Sequence, residues 1–180
     1  MKRSIVRALG ALVLVGVVMS CDDDDEPTGP DVTIENFTAT LRGGNEVPPN
    51  MSTATGTVEI TRVGPTLLFR VDVNGLVNPA AAHIHGPAAD TANAPIRVNF
   101  CGAVGVPACP TAGLGTAFTG TLATGSAAGI SGITLDSMLI LMRNGNAYVN
   151  VHTNDNTGAA NTGPGDLQAG EIRGQVEVAP

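Results

Sequence analysis

The sequence contains little positive charge. Lys and Arg account for nine of 180 residues, against sixteen Asp and Glu, and three of the nine cations are Lys2, Arg3 and Arg7 at the N-terminus. Residues 21–180 contain no Lys, and their six Arg leave a net charge of about −10 with His taken as neutral. Proteins that bind nucleic acid through its phosphates need clustered cations, so the sequence excludes nucleic acid as a partner.

Aromatic residues are also scarce, with no Trp, one Tyr and four Phe, whereas Gly occurs 23 times. That Gly content is well above the ~7% of an average protein. Frequent turn residues between runs rich in Val and Thr favour strands over helices. The composition therefore predicts an all-β fold, an antiparallel Greek-key-like sandwich or barrel.

Hydrophobic residues alternate with polar ones in most of the chain. In residues 66–73, for example, every second side chain is apolar. Gly64 and Pro65 join that run to residues 55–63 and predict a hairpin. The complete set of predicted strands is 32–41, 55–63, 66–73, 80–85, 96–100, 117–122, 147–152 and 171–178.

One segment, residues 134–144, departs from this alternation. Thr134 is a good N-cap, Asp136 lies in the first turn, Arg143 lies near the end, and Gly145 suits a left-handed terminator. We therefore predict a single short helix here. A buried strand is the alternative, because short apolar runs do not distinguish the two.

No hydrophobic run is long enough to span a bilayer. Residues 8–19 are apolar, but a spanning helix needs ~20 such residues. The run follows three cations and ends in Val18-Met19-Ser20-Cys21, which resembles a bacterial lipobox. We predict a lipoprotein signal peptide at 1–20 and a lipid on Cys21. An ordinary secretory signal is the alternative.

A lipid on Cys21 would make the membrane a partner of this chain. The predicted location is a bacterial membrane, with the protein in the periplasm or on the cell surface, and inner and outer membrane both stay open. Residues 21–31 include five consecutive acids, Asp22 to Glu26. Such a run repels itself and predicts a solvated acidic tether between lipid and domain.

Cysteine is rare, with three residues in the chain. With Cys21 assigned to lipid, Cys101 and Cys109 remain, on either side of a short loop that contains Gly and Pro. In an oxidising compartment we predict that they form a disulfide. A pair of free thiols binding a metal is the alternative.

Four stretches of the chain resemble the CHRD domain, a family named after chordin and widespread in bacterial secreted proteins. They are Leu41-Arg-Gly-Gly-Asn-Glu-Val-Pro-Pro49, Gly75-Leu76 leading to Ala82-His-Ile-His-Gly-Pro-Ala88, Asn146-Ala-Tyr-Val-Asn-Val-His-Thr153, and Gly170-Glu-Ile-Arg-Gly-Gln175. The resemblance implies an extracellular β-sandwich-like domain over residues 32–178. It implies no settled activity.

The chain has three His, and all of them lie in these stretches. His83 and His85 are two residues apart, so on a strand both face the same side, and His152 ends a later strand. Three neutral imidazoles suit zinc or copper, with a fourth position for water or a carboxylate. The alternative is that the three side chains hydrogen-bond backbone groups and fix loops.

A His-x-His strand in a Greek-key fold also resembles copper-zinc superoxide dismutase, but only at the level of fold. Three His are too few for the two-metal site of that enzyme. No Ser-His-Asp order, nucleophilic Cys or phosphate-binding Gly loop is present, so no catalytic residue is assigned.

The remaining residues of the four stretches have structural interpretations. Glu46 is expected to hold its loop through backbone N–H groups. Glu171 and Arg173 share a strand face and are expected to form a cross-strand ion pair. A hydrolase using Glu46 or Glu171 is a third and weaker hypothesis.

The sequence predicts the first of two functions, and the second is its alternative. The first is a lipid-anchored extracytoplasmic binding or structural module without catalysis, whose partner would be a cell-surface or periplasmic protein or a glycan. The second is a mononuclear copper or zinc protein that uses His83, His85 and His152 for sequestration or simple redox chemistry. Metal content distinguishes the two.

Overall fold

A computed structural model of the chain describes residues 32–127 and 130–180. The predicted signal peptide, the lipidation site Cys21 and the acidic tether lie outside the described residues. No helix within the described ranges is long and apolar enough to cross a bilayer.

The described residues form one sheet of nine strands together with one α-helix and one 3-10 turn. The strands are β1 (Ile34–Arg42), β2 (Thr55–Val63), β3 (Thr66–Val77), β4 (Pro79–His85), β5 (Ile96–Cys101), β6 (Ala117–Ala127), β7 (Tyr148–Thr153), β8 (Ile172–Gln175) and β9 (Glu177–Val178). The helix α1 is Leu135–Arg143, and the 3-10 turn is Gly43–Asn45.

All strand pairs of the sheet are antiparallel, in the order β5-β4-β7-β8-β1-β2-β3-β6, with β9 paired to β1. The two end strands, β5 and β6, contact each other, so the sheet nearly closes into a barrel. Strands β3 and β4 are consecutive in the chain but far apart in this order, which is typical of Greek-key connectivity. The predicted all-β antiparallel fold is confirmed, in its barrel form.

The core comes from the alternation seen in the sequence. In the β2–β3 hairpin Val58 pairs with Val71 and Ile60 with Phe69, and all four side chains are buried. Across the interior the ring centroids of Phe69 and Phe100 lie 4.2 Å apart. Burial of each such side chain contributes about 1.5–3 kcal/mol, and a shift of one residue in register would expose them.

The short helix is confirmed. The Thr134 hydroxyl accepts a hydrogen bond from the Ser137 backbone N–H at 3.1 Å, as an N-cap does. At the other end Gly145 adopts a positive φ of 64°. One face of the helix buries apolar side chains in the core, namely Met138, Leu139 and Met142.

Three of the predicted strands differ by more than two residues from the observed ones. Strand β3 extends to Val77 instead of ending at residue 73. Strand β6 extends to Ala127 because it pairs with β3 along most of its length, interrupted by two register shifts. The predicted strand 171–178 is divided into β8 and β9. Between them the Val176 N–H bonds to Ala147 O at 2.8 Å, just beyond the last β7–β8 pair, and Glu177 and Val178 then pair with β1.

The predicted disulfide between Cys101 and Cys109 is present, and both residues are buried. It closes the loop that leaves β5. The turn begins at Gly102, whose φ is +74° and whose missing Cβ would overlap the backbone of Ala80. Glycine is therefore required at this position.

Removing this disulfide with the double variant Cys101→Ser and Cys109→Ser should lower the free energy of unfolding by about 2–3 kcal/mol. The reason is that the open chain regains the entropy that the short closed loop had lost in the unfolded state. Urea titration of both proteins measures the difference. Reductant should destabilise the wild type and leave the variant unchanged, and equal midpoints for the two oxidised proteins would contradict this account.

Candidate metal centre

Strands β4 and β7 place the three His on one face of the sheet. His83 pairs with Asn150, His85 with Tyr148, and His152 with Ala81. Because side chains two residues apart share a face, the two His of β4 lie beside His152 of the neighbouring strand. The structure therefore brings together all three residues that the sequence singled out.

The three imidazoles are close enough to share one ion. Their ring centroids are 5.0 Å apart for His83 and His152, 5.6 Å for His83 and His85, and 6.2 Å for His85 and His152. One nitrogen from each ring can be chosen so that all three lie within 4.8 Å of one another. Nitrogens about 2.0–2.1 Å from a common zinc ion would lie somewhat closer together than this, so small side-chain movements suffice.

Backbone carbonyls fix the orientation of two of the rings. His85 Nδ1 lies 2.8 Å from Ala94 O, and His152 Nδ1 lies 2.9 Å from Gln168 O. A carbonyl only accepts hydrogen bonds, so each Nδ1 carries the proton, and the lone pair of each neutral ring is on Nε2. Metal-binding His are usually held in this way by a second partner.

The nitrogens that could bind an ion have no other partner. His83 Nδ1, His85 Nε2 and His152 Nε2 are all buried and make no hydrogen bond within the described structure. A buried polar atom left unpaired costs about 1–3 kcal/mol, so three in one place require an explanation. The chemistry of this donor set fits a zinc or copper ion.

Burial also keeps the three rings neutral. It lowers the pKa of His83 from 6.5 to about 4, with the charges of His152 and His85 adding to the effect. Burial lowers the pKa values of His85 and His152 as well. At neutral pH the lone pairs are therefore available to an electrophile.

A stack of flat groups supports the cluster from one side. The rings of His85 and Tyr148 are parallel within 3°, with centroids 4.8 Å apart. The guanidinium carbon of Arg173 lies 3.5 Å from the centroid of the Tyr148 ring. Since β7 lies between β4 and β8, Tyr148 is held between the other two groups.

The expected ion pair of Glu171 and Arg173 is wrong. Glu171 accepts hydrogen bonds from Ser52, Thr153 and the Gly165 backbone N–H. Arg173 instead donates to the Ala89 and Ala92 carbonyls and to the side chains of Asn93 and Gln175, and thereby holds the loop after β4. Both charged groups are buried, and their hydrogen-bond partners are neutral. The prediction of an ion pair assumed instead that both side chains lie at the surface.

Glu46 is buried beside the cluster. Burial raises its pKa from 4.5 to about 7, although the charge of Arg173, the Asn150 amide and the Val47 N–H all act to lower it. The Val47 contact agrees with the expected loop-holding role. Its Oε1 atom is buried and makes no hydrogen bond within the described structure.

A cleft of about 730 Å³ opens next to this region, lined by residues of β1, β8 and the 43–49 loop together with Asp90 and Thr91. Glu46 and Arg173 are part of its lining, whereas the three His are not. The cleft and the His cluster are therefore separate features that meet at these two side chains.

The fold and the cluster together define a β-barrel module with a candidate metal centre. Residues 37–176 match the family model of the CHRD domain, and the chain belongs to that family, as the four stretches predicted. The comparison with curated proteins found no match, and neither did the comparison with solved structures.

Asn150 and Tyr148 were not predicted from the sequence to be parts of the site. Both lie in the stretch that contains His152 and share its strand parity, which is the signal that could have found them. The carbonyls of Ala94 and Gln168 carry no side-chain signal, so only the structure reveals their role.

The raised pKa of Glu46 predicts a pH-dependent effect of Glu46→Gln on the metal-free protein. A carboxyl whose pKa is raised on folding contributes stability that is complete below pH 4.5 and is lost as the pH rises through about 7. Gln resembles the protonated acid at every pH. The stability of Glu46→Gln relative to wild type should therefore increase over this range by on the order of 3 kcal/mol.

Urea titrations from pH 4 to 8 in the presence of a chelator would measure this difference. The stability that the buried neutral His contribute is lost as the pH falls towards 4. This loss occurs in both proteins, so it largely cancels in the difference between them. Glu59→Gln, at an exposed position of β2, serves as the matched control. Parallel pH profiles for wild type and Glu46→Gln would show that Glu46 has its ordinary pKa.

Proposed function

We propose that this chain is a lipid-anchored extracytoplasmic binding module that holds one copper or zinc ion through His83, His85 and His152. Two observations carry the proposal. The three imidazoles converge, with one nitrogen of each within 4.8 Å of the others, and every ring has a buried nitrogen without a hydrogen-bond partner in the described structure. Membership of the CHRD family supports a binding or structural role. The geometry of the His cluster favours a metal ion as the ligand that is bound.

The arrangement favours metal binding over a purely structural role for the rings. Rings that only fix loops need one hydrogen bond each, and His85 and His152 make that bond through Nδ1. Their Nε2 atoms are nevertheless buried and have no hydrogen-bond partner within the described structure. Three neutral imidazoles with one further position would hold the ion for sequestration or for simple redox chemistry.

The soluble domain, residues 22–180, should bind one Zn²⁺ or Cu²⁺ per chain with a Kd below a micromolar, about −8 kcal/mol. His83→Ala, His85→Ala and His152→Ala should each weaken binding at least about 100-fold, because each removes a ligand. Affinity should also fall as the pH is lowered, since protons compete for the nitrogens. Competition titration with a chromogenic chelator measures all three effects.

Glu59→Ala, an exposed change on β2, is the matched control for this titration and should bind as the wild type does. Urea midpoints in a chelator establish that each His variant is folded. Tight binding that persists in the triple Ala variant would show that the ion binds at another site. Absence of binding in the wild type would make the His structural and direct attention to a protein or glycan partner.

The membrane anchor is a second part of the proposal, supported by the lipobox-like sequence that ends in Cys21. Full-length protein expressed in a bacterium should partition into detergent, and its mature N-terminus should carry a diacylglyceryl group on Cys21. Cys21→Ser should abolish this modification, because the hydroxyl is not the substrate of thiol lipidation. Mass spectrometry of the mature N-terminus checks this, and an unmodified Cys21 in the wild type would contradict it.

A further inference from the structure

Asn150 occupies the centre of the candidate site. It lies between Tyr148 and His152 on the same face of β7, and its backbone pairs with His83 on β4 and with Arg173 on β8. Its side chain is 3% exposed, and its Oδ1 atom has no hydrogen-bond partner. A fourth buried atom without a hydrogen-bond partner therefore lies on the same face of the strand pair as the three His.

The backbone of Gly170 shows which way the amide of Asn150 faces. A Cβ on Gly170 would lie 2.6 Å from Glu46 Oε1 and 2.8 Å from Asn150 Nδ2. Both atoms therefore lie over the same glycine, with the NH₂ group of Asn150, and not its oxygen, on the side of the Glu46 carboxylate. The reverse orientation would place the amide oxygen against the carboxylate oxygen, which is unfavourable when Glu46 is ionised.

With Nδ2 towards Glu46, the oxygen of Asn150 faces the His cluster. On the same face of the β4–β7 strand pair, His83 Nδ1, His85 Nε2 and His152 Nε2 are also buried and lack a partner. The Nδ1 of His85 is bonded to Ala94 O, so the lone pair of that ring is on Nε2. The amide oxygen and these ring nitrogens have no donor within the described structure, and a cation among them would satisfy them together.

We propose that Asn150 Oδ1 is the fourth ligand of the metal centre and that Glu46 is a positioning residue that holds the amide in the ligating orientation. This inference rests on the proposed function and specifies it further. Three nitrogens and one amide oxygen form a harder donor set than thiolate or thioether sites. They favour the divalent ions Zn²⁺ and Cu²⁺ over Cu⁺.

The test compares Zn²⁺ affinity and the Cu²⁺ electron paramagnetic resonance spectrum in wild type, Asn150→Ala and Asn150→Asp. Loss of an oxygen ligand in Asn150→Ala should weaken Zn²⁺ binding about 10- to 100-fold and shift the Cu²⁺ spectrum. Asn150→Asp keeps an oxygen in the same place and should retain the affinity of the wild type. Asn74→Ala, an exposed Asn on β3, is the matched control.

Glu46→Gln tests the positioning role through a double-mutant cycle. In the wild type this change should weaken Zn²⁺ binding, because a Gln side chain offers an NH₂ group as well as an oxygen and no longer requires the Asn150 amide to turn its own NH₂ group towards position 46. In the Asn150→Asp background it should cost no affinity, since a carboxylate has no preferred oxygen to orient. An equal loss in both backgrounds would overturn the positioning role.

The outcomes separate the two proposals. A wild type that binds no metal ion overturns the proposed function and this inference together. A wild type that binds one ion, with an unchanged affinity and Cu²⁺ spectrum in Asn150→Ala, overturns this inference alone. If Asn150→Ala does not fold, Asn150→Asp decides, because a carboxylate ligand in place of an amide must change the Cu²⁺ spectrum.

Discussion

The antiparallel pairing of β4 with β7 is the constraint on which the site depends. Its register sets His83 opposite Asn150, His85 opposite Tyr148 and His152 opposite Ala81. A slip of one residue would turn His152 and Asn150 to the other face of the sheet and bury Val149 and Val151 in the wrong place. The hydrophobic core and the polar cluster therefore fix the same register, each from its own side of β7.

Much of this fold could be predicted because its strands follow the period of two. The hairpin of β2 and β3 and the helix after Thr134 needed only local signals, namely alternation, turn residues and an N-cap. The length of β6 and the break at Val176 could not be predicted. They depend on pairing with β3 and on a bond to Ala147, both of which are distant in sequence.

The site was predictable in part for the same reason. Strand parity was enough to place His83 and His85 on the same side of their strand. It could not show that this face is buried, and therefore misjudged Glu171 and Arg173 as surface charges. Burial arises from loops such as 86–95 and 154–170, whose paths depend on hydrogen bonds between residues far apart in the chain.

Two of the candidate ligands are oriented by main-chain oxygens, those of Ala94 and Gln168. A main-chain carbonyl is supplied by every residue type, so these two positions could accept many side chains without disturbing the imidazoles. What must be preserved is the route of each loop. The sequences of these two loops can therefore diverge between related domains, whereas the candidate ligands themselves lie in strands β4 and β7.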